Sequence, residues 1–194
     1  MSKEKYIISV GFSRRKDSNL ISKLIQLVEG THYSHTFVSW KCANIDRRKV
    51  YEAVGSGSRK ISNVTFKKCS YVTDIFQFEV TCDDLFKVDQ FTHDEAGTPY
   101  GYKHLLGLLC MRVKNCFYRV LGLKKKAKNP FKDGHYSQIC VEAGAYVIEL
   151  AEGIKAPGDI EDYGLVEFFD FVSKYGKSVP QEKLDRINGV AKKK

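Results

Sequence analysis

Three side chains in this sequence have the chemical types needed to activate a thiol: Cys140, His35 and Glu52. Cys140 follows Ser137 by three residues, and if Ser137 caps a helix, the thiol lies in the first helical turn. The free N–H groups and the dipole at a helix start favour the thiolate, which is the nucleophilic form, and can also hold an oxyanion. The structural alternative, a buried cysteine among apolar neighbours, is the commoner case for this residue taken alone.

The histidine and the glutamate lie in two strand-like runs, HTFVSW and VYEAV. Strand alternation places His35 on one face with Phe37 and Ser39, and places Glu52 where an apolar residue is expected. If the runs pair as a hairpin, the carboxylate lies close enough to fix the tautomer of the imidazole. Taken singly, the histidine could instead bond a backbone carbonyl and the glutamate could face solvent, and His32 is a weaker candidate base.

The spacing of apolar residues predicts an α+β fold, with an antiparallel sheet of four to six strands packed against helices. Strands are predicted at 5–12, 35–40, 50–54, 61–66 and 72–80, with a polar turn around 44–47 and a loop at 55–58. Helices are predicted from Asp17 or Ser18 to Gly30, from Thr81 to Gly97, over Tyr102 to Leu121, from Ser137 to Ala151, and near Leu165 to Tyr175.

The bulk composition predicts one domain over 1–194, with a basic irregular loop at about 122–135 and a basic tail at about 188–194. The six cysteines form no CxxC pair, so neither a zinc ribbon nor a disulfide framework is indicated, and we predict no metal and no cofactor. No apolar run is long enough to span a membrane, and the first residues are too polar for a signal peptide. We therefore expect a protein that is cytoplasmic at synthesis, with delivery to the cell envelope or packaging in a phage particle as open alternatives.

The formal net charge of +9 favours anionic partners, such as nucleic acid, an acidic cell wall or phospholipid head groups. Nucleic-acid binding would explain the lysines at 124–126 and 128, but no zinc-finger, RRM or KH signature accompanies them, and this alternative is not favoured. A second alternative is a catalytically inactive structural protein within a larger viral or bacterial assembly.

Four stretches of the sequence resemble the circularly permuted NlpC/P60 branch of the papain-like cysteine hydrolases, of the YiiX and YebB type. They are HYSHTFV, KVYEAVGSG, GTPYGY and HYSQICVEAGAYVI, and the order of the pieces agrees over roughly 5–175. The resemblance implies Cys140 as nucleophile, His35 as general base and later acid, and Glu52 as the orienting residue. It further implies an oxyanion or substrate-binding role for Tyr100, Gln138, Gly55 and Gly57.

The activity implied by the resemblance is hydrolysis of an amide bond through an acyl-enzyme, with bacterial cell-wall peptides as the favoured substrate. The alternative within the same fold is a lipid ester hydrolase or an acyltransferase. Two features depart from the family pattern: Val141 follows the cysteine where many members carry serine, and a basic insertion spans 123–132. Ile139 stands where the acyltransferase relatives carry asparagine, which weakens the acyltransferase alternative.

Overall fold

The fold is a six-stranded antiparallel sheet with helices on both faces, which confirms the predicted α+β fold with an antiparallel sheet of four to six strands packed against helices. The computed structural model describes residues 5–17, 20–41, 48–132 and 136–189. The strands are β1 (Tyr6–Arg15), β2 (His35–Lys41), β3 (Arg48–Val54), β4 (Gly57–Ser62), β5 (Ser70–Val80) and β6 (Lys177–Ser178), in the spatial order β4-β3-β2-β1-β5-β6. The helices are α1 (Leu20–Glu29), α2 (Asn63–Cys69), α3 (Cys82–Asp94), α4 (Tyr102–Val120), α5 (Cys140–Glu152), α6 (Leu165–Tyr175) and α7 (Gln181–Asn188).

Strand alternation divides the core between the two faces of the sheet. On one face, Ile8, Val10 and Phe12 of β1 are fully buried in a cluster completed by α3, α5 and α6. On the other face, Phe37 and Val50 belong to a smaller cluster covered by α2 and α7. The sheet is therefore a central layer, and α5, which begins with Cys140, packs directly against β2.

Of the three helix starts predicted from capping residues, those at Thr81 and Ser137 have different outcomes. At α3, the Thr81 hydroxyl accepts a hydrogen bond from Asp84 N at 3.2 Å, as expected of a cap. Ser137, however, does not cap α5, because Gln138 is held in an extended bridge to Tyr100 and the helix begins two residues later than a Ser137 cap requires. Glu142 Oε2 instead accepts a hydrogen bond from Ile139 N at 2.8 Å, closing the helix start from within.

The prediction of a strand over 61–66 was wrong. β4 starts at Gly57, because Val54 pairs with Gly57 across a two-residue turn, and the loop predicted at 55–58 is shorter than expected. Ser62 then caps α2, its hydroxyl accepting from Thr65 N at 3.1 Å. The segment 61–66 that was predicted as one strand therefore contains the end of β4 and the first residues of α2.

The C-terminal region departs further from the sequence prediction. α7 was not predicted, because Leu184 is its one fully buried residue and the helix has no continuous apolar stripe. The segment 123–129 is irregular, as expected for the basic loop. The predicted cap at Ser18, the turn at 44–47, His135 and the last five residues lie outside the described residues. Within the part of the chain that is described, no helix combines the length and apolarity that a bilayer crossing requires.

Candidate functional site

Cys140 is the first residue of α5 and is 7% exposed. It therefore lies at the end of the helix where N–H groups lack intrahelical acceptors and where the dipole favours negative charge. Of the other cysteines that the structure describes, Cys69 is half-buried, whereas Cys82, Cys110 and Cys116 are exposed. Cys140 differs from them in being buried at a helix start.

His35 and Glu52 lie close together where the pairing between β2 and β3 ends. The last pair of the two strands is Val38 with Tyr51. Glu52 directly follows Tyr51, and His35 lies three residues before Val38. His35 Nε2 is 2.8 Å from Glu52 Oε2, and both side chains are buried. The side chain of Cys140 lies close enough to the imidazole of His35 to raise its pKa. Because Nε2 is occupied by Glu52, Nδ1 is the ring nitrogen left for the thiol.

The electrostatics of this cluster favour a charged imidazole. Burial by itself lowers the pKa of His35, but hydrogen bonds to Cys140 and Glu52 and their negative charges outweigh burial and raise this pKa to about 10. Burial raises the pKa of Glu52, but His35 and Arg59 outweigh that effect, so its pKa is lowered overall. The pair is therefore an imidazolium beside a carboxylate, and the side chain of Cys140 interacts with the same imidazole.

Arg59 is a member of this cluster that the sequence reasoning missed. Its Nε and one terminal nitrogen donate to Glu52 Oε1 at 2.9 and 2.7 Å, so each carboxylate oxygen has its own partner. Arg59 lies directly opposite Glu52 in the β3–β4 register. The two-residue turn in VGSG would have revealed this pairing, had that stretch been taken as a tight hairpin rather than as a loop.

Two adjoining cavities lie along these residues. The first, about 130 Å³, is lined by His35, Glu52 and Gly55 among others, and we call it the site cavity. The second, about 30 Å³, is lined by Cys140 and by apolar side chains of α1 and α4, and we call it the thiol crevice. Ile25, Ser34 and Tyr100 line both. His35 and Glu52 therefore border one cavity and Cys140 the other, and the two cavities share part of their walls.

Ser34 and Tyr100 are the polar side chains shared by the two cavities. Ser34 Oγ is buried and makes no hydrogen bond to the residues that the structure describes. Burial raises the pKa of Tyr100, and the charges of Cys140, Tyr102 and Glu142 raise it further, so its hydroxyl stays protonated. Both groups can donate a hydrogen bond to a bound molecule. Sequence reasoning found Tyr100 through the family resemblance and missed Ser34.

The two glycines predicted near the site have different surroundings. A side chain at Gly55 would meet the Tyr102 hydroxyl at 2.5 Å, and the carbonyl of Gly55 accepts a hydrogen bond from that hydroxyl at 2.9 Å. Gly57 has φ +107°, and a Cβ there would lie 2.9 Å from the carbonyl oxygen of Thr98. Gly55 lines the site cavity. Gly57 does not line it, but its lack of a side chain allows the β3–β4 turn to pack against Thr98, before α4.

Gln138 and His32 are the remaining predicted residues. Gln138 Oε1 accepts hydrogen bonds from the Tyr51 hydroxyl at 2.7 Å and from Ser58 Oγ at 2.9 Å, which ties the approach to α5 onto the sheet. Its proposed contact with an oxyanion or substrate stays a prediction. His32 is largely exposed, and its Nε2 lies 3.6 Å from Asp74 Oδ2 rather than beside Glu52.

A second histidine–glutamate pair lies under α5. His104 Nδ1 is 3.1 Å from Glu142 Oε1, off the line of a hydrogen bond, and His104 Nε2 is 2.8 Å from the carbonyl oxygen of Glu161. Burial lowers the pKa of His104, but Glu142 and Glu161 outweigh burial and raise it. The side chains of His104, Glu142 and Glu161 are the one group among the described residues that could hold a metal ion, their ligand atoms lying within 4.8 Å of one another. The direct contact of His104 with Glu142 already satisfies both charges as an ion pair.

Comparisons with known proteins support the fold. No protein-family model matches the chain, and no curated protein matches it significantly. Among solved structures, it is similar to the metalloprotein YiiX (DUF1105) of Escherichia coli O157:H7, with a TM-score of 0.50 and 16% identity over 95% of this chain and 92% of that one. At this identity the similarity is one of fold, and it supports a YiiX-like arrangement of an antiparallel sheet packed against helices.

Proposed function

We propose that this protein is a cysteine hydrolase in which Cys140 is the nucleophile, His35 the proton carrier and Glu52 the orienting carboxylate. The observation that carries the proposal is the continuous contact from Cys140 through the ring of His35 to Glu52. Each member comes from a different element, α5, β2 and β3, and a packed sheet holds all three. A nucleophile, a base bonded to it and a group that orients the base are the parts of an activated cysteine.

The reaction would proceed in two halves. The Cys140 sulfur attacks a carbonyl carbon, the carbonyl oxygen becomes an oxyanion, and the protonated His35 gives its proton to the leaving nitrogen or oxygen as the bond to carbon breaks. Water then attacks the thioester while His35 takes a proton from it, and the acid product leaves as the thiolate forms again. The protonation state of His35 favours the first half, because the ring already carries the proton that the leaving group needs.

Donors for the oxyanion would come from the start of α5 and from Tyr100. The Tyr100 hydroxyl is protonated and borders both cavities, and Ser34 Oγ lies in the same wall. One well-placed donor of this kind contributes about 3 to 4 kcal/mol to the transition state in other enzymes. We therefore assign Tyr100 and Ser34 to the oxyanion or to substrate binding.

The family resemblance points to the amide bond of a bacterial cell-wall peptide, and the net positive charge suits an anionic wall. A lipid ester is the second candidate, and one observation favours it: the thiol crevice is lined by Leu105, Leu108 and Leu109, together with Ile139 and Leu165. The side chains beside the sulfur are therefore mainly apolar rather than charged, which favours an apolar group next to the scissile bond. In either case the chemistry at the carbonyl is the same.

Thiol reactivity tests the proposal directly. The wild-type protein is treated with iodoacetamide at neutral pH, and the labelling rate of each cysteine is followed by peptide mass spectrometry. Cys140 should react faster than exposed Cys116, the internal control, despite its burial, and His35→Ala should remove that difference. If Cys140 reacts no faster than Cys116 and His35→Ala leaves its rate unchanged, the proposal is wrong, and an inactive structural protein becomes the better interpretation.

Substrate panels then distinguish the two candidate bonds. Muropeptides and short-chain lipid esters are incubated with the wild-type protein and with Cys140→Ser, and the products are separated chromatographically. We expect cleavage of one class, dependent on Cys140. YiiX is described as a metalloprotein. In this chain the thiol, the imidazole and the carboxylate supply the groups that acyl transfer requires. Action at the cell envelope or from within a phage particle fits either substrate.

A further inference from the structure

The outward side of α4 carries a straight line of apolar side chains. We call this line the α4 stripe: Tyr102, Leu106, Val113, Phe117 and Val120, each at least half exposed. At 100° per residue, these positions fall within an arc of about 60°, and they follow a helix about 28 Å long. Scattered exposed apolar residues are ordinary, but an aligned set of this length is typical of a binding surface.

The charge around the α4 stripe is of one sign. Residues 96–132 contain nine Lys and Arg and no Asp or Glu, which equals the formal net charge of +9 of the whole chain, so the remainder is balanced. Lys103 and Lys114 lie along one flank of the stripe, and the lysines at 124–126 and 128 follow the helix and are exposed. Arg112 instead points inward, to Glu29 and Glu167. The apolar line and the excess positive charge therefore occupy one region.

We propose that the α4 stripe docks on an anionic phospholipid bilayer. Apolar side chains in line with flanking lysines are the pattern of a helix lying in the plane of a membrane, where the former enter the acyl boundary and the latter meet phosphates. The favoured occupant is a bilayer rather than a protein, since lysine is depleted from protein–protein interfaces. The flanks of α4 also offer no acidic residue that would pair with a basic partner.

The α4 stripe continues into the mouth of the site cavity. Tyr102 is the first residue of the stripe and also lines that cavity. Ile21 of α1 lines the cavity too, and it is likewise exposed. A bilayer bound to α4 would therefore lie beside the opening between α1 and α4. The docking itself needs only the surface of α4 and is independent of the chemistry proposed for Cys140.

Vesicle sedimentation with the full chain tests the docking. Vesicles of phosphatidylcholine alone, or with added phosphatidylglycerol, are mixed with the wild-type protein and four variants. Wild-type protein and Cys140→Ser should bind the phosphatidylglycerol vesicles equally. Phe117→Asp should bind at least about tenfold more weakly, because a phenylalanine that would enter the bilayer is replaced by an anion. Phe86→Asp is the matched control: Phe86 is 69% exposed on α3, Phe117 is 65% exposed on α4, and only the latter belongs to the stripe.

A charge variant supplies the second measurement. Lys124→Gln, Lys125→Gln and Lys126→Gln combined should weaken binding to the anionic vesicles and reduce its dependence on salt. Phe86, Phe117 and the three lysines are exposed, and circular dichroism checks that all four variants stay folded. The proposal is overturned if the wild type ignores phosphatidylglycerol vesicles or if Phe117→Asp binds as well as Phe86→Asp. A dimer in sedimentation velocity that Phe117→Asp alone dissociates would also overturn it, since the stripe would then belong to a second copy of the chain.

Discussion

Two buried histidine–glutamate pairs lie within this protein, and they differ in what else each histidine contacts. His35 contacts Glu52 with Nε2 and also interacts with the side chain of Cys140, at the border of a cavity. His104 meets Glu142 with one nitrogen and the carbonyl oxygen of Glu161 with the other. Burial and a raised histidine pKa are common to both pairs.

A buried ion pair with a perturbed histidine pKa does not by itself mark a reactive site. The third partner separates the two pairs: a thiol at a helix start in one, and a main-chain carbonyl in the other. A carbonyl oxygen fixes the ring without offering chemistry, so His104 and Glu142 hold α4 against α5 and the 3₁₀ turn at Ile160–Asp162. The following predictions test this contrast.

The largest expected effect is on the reactivity of Cys140. His35→Ala should slow its alkylation, and the turnover of any substrate identified, by about 10³-fold or more, because the thiol loses its proton partner. Cysteine-specific labelling rates and steady-state kinetics measure this loss. His104→Ala, the matched control, should lower the Cys140 rate per folded molecule by less than about tenfold. Equal losses in the two variants would contradict the distinction between the pairs.

The next effect is on stability, and here His104→Ala should have the larger effect and His35→Ala the smaller one. His104→Ala should lower the free energy of unfolding by about 3 to 5 kcal/mol, because it leaves the buried carboxylate of Glu142 without the imidazole that pairs with its charge. Urea denaturation followed by tryptophan fluorescence measures it. His35→Ala should cost less, since Glu52 keeps Arg59 as a cation partner. A larger loss for His35→Ala than for His104→Ala would contradict this ranking.

Glu52→Gln preserves the shape of the carboxylate while removing its charge. We expect the Cys140 rate to fall by about 10- to 100-fold, because the amide supports the imidazolium less well. Glu142→Gln is the corresponding change in the other pair and should leave that rate within about threefold of wild type. Pre-steady-state labelling of the two variants side by side tests the difference.

The two histidines should affect the pH dependence of stability in the same direction: the free energy of unfolding should fall as the pH rises. The pKa of His35 is raised from 6.5 to about 10 in the folded protein, so its contribution is fully present below about pH 6.5 and is lost as the pH rises towards 10. The raised pKa of His104 acts in the same direction. Urea unfolding between about pH 6 and 9.5 should show a decline of at most about 1.4 kcal/mol per pH unit for each group. His35→Gln should flatten it, and an unchanged slope would argue against a protonated His35.

The smallest expected effect concerns Arg59, which distinguishes the environment of Glu52 from that of Glu142. Its guanidinium is partly exposed, so Arg59→Ala should slow Cys140 labelling by only about two- to fivefold. Arg59→Lys should recover part of the rate, since it restores the charge but not the two-nitrogen contact. A loss as large as that of Glu52→Gln would mean that Arg59 is required for the charge state of Glu52.

Much of the sheet and the thiol cluster followed from sequence because the alternation of apolar residues in β2 and β3 is regular. The odd polar positions in that pattern, His35 and Glu52, proved to be neighbours. The same reasoning failed at β4 and α2, where Gly57 allows a tight turn that composition alone presents as a loop. α7 escaped prediction because its packing depends on the distant β5 rather than on a stripe of its own.

The second pair was missed for a related reason. His104 belongs to an apolar face of α4 with Leu108 and Met111, at helical spacing, and this placement would have predicted burial. Its partner Glu142 is 38 positions further along, in another helix, and no local pattern reports which buried histidine meets which glutamate. Sequence periodicity thus locates faces, whereas pairing across elements requires the tertiary structure.

The hydrogen bonds that Gln138 accepts from Tyr51 and Ser58 span 87 and 80 positions of the chain. His35 and Glu52 lie in the first third of the sequence, and Cys140 is added only after α4 and the basic loop have been synthesised. A nascent or truncated chain that ends before α5 therefore carries the imidazole and the carboxylate without the Cys140 thiol. Long-range closure of this kind is slow compared with local folding, so reactivity should be the last property that the chain acquires.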